Sequence, residues 1–349
     1  MVKGLIYLAL FLVLLVSCEE YYKPNLDVAP GMLVVESCLT NDSSRNFVKL
    51  SMTKGFYSNS PDEKIIGATA ELIEVGGQTI NGIENNSGYF TFLETPVSGK
   101  QYKLRISYQN DIFESEFAIM PPLPSIDSLY TKHKVETSYQ TDASGKPLII
   151  KTPGREICID APITPELKYY RFNSREVLQW AYFPPSMGPA YFGWVPISDN
   201  GIFNLAGLKE FSTSSAVKVH PIFSLAYDAH QYLDSAAQIP EGWIAIIDQY
   251  GITKESYDFH EKLNQQFSAE GSLFDPVLTQ VTGNIHCKND PSKIVLGFFD
   301  LNSYRQYRYF LDIGSDENST GFQRRINRYF DIPEKGYQIR TYPVFWEFK

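Results

Sequence analysis

Histidine and cysteine are among the scarce residues of this 349-residue chain, five and four in number, and the patterns they fail to spell exclude several chemistries. His133, His220, His230, His260 and His286 are scattered, with no pair at the spacing of a zinc-binding helix. Cys18, Cys38, Cys158 and Cys287 make no closely spaced couple of the zinc or redox kind. A nucleophile elbow and a phosphate-binding glycine loop are missing too, so no catalytic set, metal or cofactor is read from motifs. Positive charge is in short supply: 31 Lys and Arg face 40 Asp and Glu, a net charge of −9 without any basic cluster, which argues against nucleic acid as a partner.

A long apolar run is lacking as well. The uncharged stretch from Gly4 to Ser17 follows Lys3 and falls short of the ~20 residues that cross a bilayer as a helix. A basic start, a short apolar segment and a small residue before a cut describe a secretory signal peptide. Here the cut precedes cysteine, and Leu15-Val16-Ser17-Cys18 has the form of a lipobox. The thiol of Cys18 is expected to carry a diacylglycerol and its freed amine an acyl chain, since several chains anchor stably where one binds only marginally. The expected partner of the amino terminus is therefore a membrane, with a signal peptide over residues 1–17 and a tether over residues 18–30.

What is abundant is aromatic: 23 Tyr and 23 Phe in a chain with 43% hydrophobic residues, enough for a large core. Tyrosine at this level fills β-sheet faces, with a binding surface as the alternative. "LVVESC", "NFVKLSMT", "ATAELIEV", "GYFTFL" and "QYKLRISY" alternate apolar and polar residues, and the last puts Tyr102, Leu104, Ile106 and Tyr108 on one face. Asn110-Asp111 reads as a two-residue hairpin turn. The class is mainly β, with an immunoglobulin-like sandwich over residues 31–120. Pro121, Pro122 and Pro124 then form a stiff linker over residues 121–125.

Residues 126–349 read as a larger β-rich part. "TDASGK" turns one hairpin, and Trp243 to Ile247 form a buried strand. One helix is expected, with Thr253 as N-cap, Glu255 in its first turn, an apolar stripe of Phe259, Leu263 and Phe267, and Gly271 as the stop. The stretch from Phe183 to Pro196 reads as a loop in which Phe183, Tyr191, Phe192 and Trp194 form a binding surface, the alternative being a plug over the end of a sandwich. "SDENSTG" at residues 315–321 and "NDPSK" at residues 289–293 read as solvated turns. In an oxidising envelope one disulfide is permitted, Cys158 with Cys287, because both fall in the second, larger part; buried free thiols are the alternative.

Taken in order, "LVVESCLT", "IIGATAELIE", "GKQYKLRI", "ITPELKYYRF", "GSLFDP", "GNI", "NDPSKIVLGFF" and "YPVFW" resemble the Bacteroidota lipoprotein family known as domain of unknown function 4249. The resemblance covers nearly all of the chain after Cys18. It implies an outer-membrane lipoprotein accompanying a TonB-dependent receptor, with a sandwich first and a larger β-rich portion second, and it implies no catalytic residue. Glu19 and Glu20 resemble the acidic export signal of surface lipoproteins in that phylum, so the protein is expected to face outward. The leading function is a binding or accessory module beside a TonB-dependent transporter. The alternatives are an anchored hydrolase acting on glycan or peptide through carboxylates such as Asp248 or Asp275, and a purely structural envelope protein.

Overall fold

The alternating segments become strands, in chain order β1 (Leu33–Cys38), β2 (Phe47–Met52), β3 (Thr69–Glu74), β4 (Thr79–Asn81), β5 (Ile83–Asn86), β6 (Tyr89–Thr91), β7 (Gln101–Tyr108), β8 (Asp111–Ser115) and β9 (Ala118–Ile119). After the prolines come β10 (Ser128–Thr141), β11 (Pro147–Pro162), β12 (Tyr169–Tyr182), β13 (Tyr191–Ile197), β14 (Asn204–Gly207), β15 (Ala216–Ala226) and β16 (Gln238–Ile252). A helix, α1 (Lys254–Phe267), precedes β17 (Ile285–Cys287), β18 (Val295–Phe298) and β19 (Ser303–Asp312). The computed structural model describes residues 31–54, 65–142, 144–182, 191–197, 202–208, 215–226, 238–268 and 281–312, and within them the chain is mainly β. Cys18, Glu19, Glu20, Phe183, Asp275 and the 315–321 turn lie outside the described residues.

The first sandwich has one sheet in the order β18-β1-β2-β6-β5 and another in the order β17-β8-β7-β3-β4, with β9 also on β7. They share a core in which Val35, Val48 and Leu50 of one sheet meet Leu72, Leu104 and Ile106 of the other. Tyr102, Leu104 and Ile106 are buried as their alternation requires, and Tyr108 packs at the margin. The β7–β8 turn is one residue earlier than expected: Tyr108 pairs with Asp111, leaving Gln109 and Asn110 as the turn, with Gln109 at φ 55°. Asp111 is drawn into the strand, where its carboxylate takes Lys293 at 2.5 Å.

Two strands from the far end of the chain complete this sandwich. β18 lies parallel to β1, Leu33 beside Val295, and β17 pairs antiparallel with β8. The sandwich is therefore not confined to residues 31–120, and Cys287 sits in its core. That corrects the expected bridge. Cys158 lies on β11 of another sheet, and Cys38, Cys158 and Cys287 are all free thiols. Position after the proline linker says nothing about which sheet each strand joins.

A second core forms between the sheet β10-β11-β15 and the sheet β13-β12-β16-β19. Ile157 and Ile159 of β11 face Tyr170 and Phe172 of β12 and Trp243, Ala245 and Ile247 of β16. Ile244 and Ile246, on the opposite face of β16, are buried with Val177. Burial of both faces explains why this strand reads as a continuous apolar run instead of an alternation. The Phe183–Pro196 stretch is not all loop: Tyr191, Phe192 and Trp194 lie on β13, paired with Tyr182, Ala181 and Gln179 of β12. Aromatic and β-branched residues suit a strand, and Pro196 is tolerated because β13 is at the edge of its sheet.

The parallel pairing of β1 with β18 leaves no room for a side chain at its centre. Gly297 has φ +98°, and a Cβ there would run into the Val35 carbonyl. We expect Gly297→Ala to cost more than ~3 kcal/mol in urea unfolding, through strain and a displaced β1 together. Gly99→Ala is the comparison: φ is +82° but nothing lies within 4 Å of the new Cβ. Only the left-handed backbone cost of ~1–2 kcal/mol applies there. Equal losses for the two variants would contradict the close approach.

Candidate functional site

Where the first sandwich meets the β12-β16-β19 sheet, a polar network runs beside an apolar cluster of Tyr250, Ile252 and Tyr304. A one-turn 3₁₀ helix, Ser43–Arg45, follows β1 because Asp42 caps it, accepting from the Ser44 amide at 3.0 Å. This turn aims Arg45 at β16. The guanidinium donates to both oxygens of Asp248, at 3.0 and 3.1 Å, and to the Tyr250 hydroxyl at 3.2 Å. It also lies 4.0 Å from the centre of the Tyr304 ring. Tyr304 is 5.3 Å from Tyr250, whose other side faces the Arg171 guanidinium at 4.6 Å. The result is a column in which two neighbouring phenols lie between two guanidinium groups, joined by cation–π contacts and one bidentate ion pair. Burial pushes the Tyr250 phenol up to about 12, so it stays protonated.

Asp248, a carboxylate considered for hydrolysis, is committed here. The Tyr304 hydroxyl and the Gln306 amide each donate to its Oδ1 at 2.8 Å, in addition to the two bonds from Arg45. A carboxylate that accepts four hydrogen bonds from its neighbours, three of them on Oδ1, is held in place by the junction and serves it structurally.

Behind the column lies a set with the composition of a catalytic triad: Ser256 and His260, one turn apart on α1, with Asp300 just after β18. Thr253 caps the helix, accepting from the Ser256 amide at 3.2 Å, and Glu255 stands in the first turn as expected. The buried face differs from the expected stripe, however. Ser256 and His260 are the buried residues of α1, Phe267 is exposed, and the helix ends with Ser268 as C-cap. Phe259 instead stacks on Phe298, 4.5 Å between ring centres.

The hydrogen bonds show that this set is no proton relay. His260 Nδ1 donates to the Ser256 carbonyl at 2.8 Å, and its Nε2 accepts from Arg171 at 2.9 Å, which fixes the neutral tautomer. The Ser256 hydroxyl donates to Asp300 at 2.6 Å and is only 3.4 Å from Nδ1, the nitrogen that already carries the proton. Arg171 closes the circuit by donating to Asp300 at 3.0 Å. Burial would raise the Asp300 carboxyl, but Arg171 and the Ser256 hydroxyl hold it below the ordinary carboxylate range. Burial, with Arg171 adjacent, lowers His260. Cys38 lies at the edge of the same junction, and burial raises its thiol to about 11, too high for a nucleophile at neutral pH. Among the described residues no group of three or more His, Cys, Asp and Glu is arranged to hold a metal.

Above this network the seam opens into a groove of about 670 Å³. Its walls come from β9 and the first prolines of the linker, from the start of α1, and from the segment after β18. None of these residues stood out in the sequence as a site. Arg171, Ser256 and Asp300 were missed likewise, although a serine four residues before a histidine in a capped helix marks one polar face. In the sequence His260 is one of five scattered histidines, and the structure gives it Arg171 and the Ser256 carbonyl as partners.

Two measurements check the network. Asp300→Asn leaves the Arg171 guanidinium buried without its counter-charge, and we expect a loss of ~3–5 kcal/mol in urea unfolding. Acidification should also destabilise. His260 is held low and His220, which burial takes down to about 4 from 6.5, is held low as well. A histidine with a lowered folded pKa contributes stability above pH 6.5 that is lost as the unfolded chain takes up the proton, here from 6.5 toward 4. The melting temperature is expected to fall across that window, and His220→Gln to flatten the fall.

No curated protein matches the chain. The family model described as "Domain of unknown function (DUF4249)" matches residues 19–308. That span takes in both sandwich cores, the junction network and every wall of the groove, and the chain belongs to this family.

Proposed function

We propose that the protein is a lipid-anchored, outward-facing lipoprotein of the outer membrane that binds a partner without transforming it, as an accessory module beside a TonB-dependent transporter. The observation that carries the binding reading is the open groove on a seam stiffened by one buried and one half-buried ion pair. A preformed apolar cleft flanked by fixed elements is the usual form of a binding site. The lipobox at Leu15 to Cys18 supports the anchor, and Glu19 with Glu20 supports surface exposure. The hydrolase alternative loses support with Asp248, whose carboxylate is engaged by Arg45, Tyr304 and Gln306.

Fractionation and capture test the proposal together. The native protein should enter the membrane fraction, and Cys18→Ser should move it to the soluble fraction. Extraction from outer membranes in mild detergent should bring down one transporter in fixed stoichiometry. A Cys18→Ser protein still held at native levels in the membrane overturns the anchor, and capture of no transporter overturns the accessory role.

A further inference from the structure

We propose that the groove between the first sandwich and the start of α1 receives a cationic, apolar segment of a partner protein, one that places lysine or arginine beside large apolar side chains. The proposal deepens the binding-module reading by naming the chemistry of what is bound.

Its floor is apolar and buried, formed by Met120, Phe298, Phe299 and Leu301. Its lip is apolar and wet: Phe117 is 51% exposed and Ile119 52%. Leu123, in the adjoining proline segment, is 51% exposed as well. Large side chains left half in water at the mouth of a cleft gain from a partner that covers them. At about 670 Å³ and open to solvent, the groove suits a few side chains of another chain better than an enclosed small ligand.

The shape is set before anything binds. Pro121 and Pro122 fix one wall, and the Ser303 hydroxyl donates to the Pro122 carbonyl at 2.6 Å. Gln249 holds the Ser125 carbonyl at 3.2 Å, so the linker is tied down on both sides of Leu123. A cleft built this way loses little ordering entropy on binding.

Charge selects the occupant. Three carboxylates line the groove, Glu116, Glu166 and Glu255, from three separate parts of the chain. No lysine or arginine is among the described residues that line the groove: Lys100 pairs with Glu74 at 2.6 Å, Lys254 with Asp258 at 2.6 Å, and Lys103, 5.3 Å from the Phe117 ring centre at the lip, pairs with Glu114 at 2.8 Å. The positive end of α1 is offset by Glu255 itself and by the Thr253 cap. His286 lies 3.9 Å from Glu116, and both side chains are exposed. An acidic segment would meet repulsion at this rim, a neutral one would leave three carboxylates unanswered, and a basic one completes it.

Fluorescence anisotropy on the full chain in mild detergent tests this. The probes are capped, labelled tetrapeptides that alternate phenylalanine or leucine with lysine, with glutamine, or with glutamate. The lysine peptide should bind about tenfold tighter than the glutamine peptide at low salt, and the glutamate peptide weakest. The Glu116→Gln, Glu166→Gln, Glu255→Gln triple variant should bring the lysine peptide to the glutamine level with its melting temperature nearly unchanged. Phe117→Ser with Ile119→Ser should weaken all three peptides. Equal affinities for the three peptides on the unaltered protein, which needs no variant to fold, overturn the proposal. Absence of saturable binding overturns it too, as does sedimentation showing that a second copy closes the groove. Capture of a transporter equally by the native protein and the triple variant would overturn this site and leave the accessory reading standing.

Discussion

The parallel pairing of Leu33–Glu36 with Val295–Phe298 is the constraint from which the rest of the molecule follows. It joins segments from opposite ends of the described chain, and it continues past the strands themselves. Leu39 bridges Leu301, the Leu39 amide donates to the Asp300 carbonyl, and Asn41 exchanges two hydrogen bonds with the Tyr304 backbone. The run from Leu33 to Asn41 thus acts as a template along which residues 295–304 are laid. Asp300 is fixed at the junction by this register, with its amide on the Ser37 hydroxyl at 3.0 Å. Arg171, Ser256 and His260 then gather around a carboxylate whose position the first strand determines.

Burying such a network is costly, and its value lies in orientation more than in net stability. Desolvating Arg171 and Asp300 cancels much of their attraction, and apolar residues of the same shape can hold such a junction as firmly. What they cannot do is fix one angle. Guanidinium groups that must meet a carboxylate and a phenol face at once admit a single seating, so Arg45 on Asp248 and Tyr304 sets one end of the seam and Arg171 on Asp300 and Tyr250 sets the other. Apolar packing at the same junction, Tyr250, Ile252 and Tyr304 with Tyr257 and Tyr169, supplies the favourable burial that the charges do not.

The sequence was legible wherever one segment's own pattern decides its state. Alternation located β7 and its buried face, the unbroken run from Trp243 to Ile247 located β16, and Thr253 with Glu255 located the start of α1. It was not legible where state depends on a distant partner. Periodicity registers apolar residues only, and in α1 it marks the stripe of Phe259, Leu263 and Phe267. In fact the helix docks through Ser256 and His260 onto charges contributed by β12 and by the segment after β18. The same limit misplaced Cys287: its strand is recognisable, but its neighbour β8 is separated from it by the whole second core. Glu116, Glu166 and Glu255 are unremarkable in isolation, and only the fold brings them to one rim.

That dependence extends to the groove. Phe298, Phe299 and Leu301 form its floor and belong to the segment laid along β1, while Pro121 and Pro122 are held by Ser303 of the same segment. The groove therefore exists only in the closed chain, after residues 295–304 have found residues 33–41. Closing a loop of that length is slow to be rewarded, because its entropy is lost before the contacts form. Until then β1 and β8 each present an edge that a neighbouring chain could pair with. An occupant that grips both Phe299 and the rim of β9 binds the closed form alone, and by mass action it stabilises the pairing on which its own site depends.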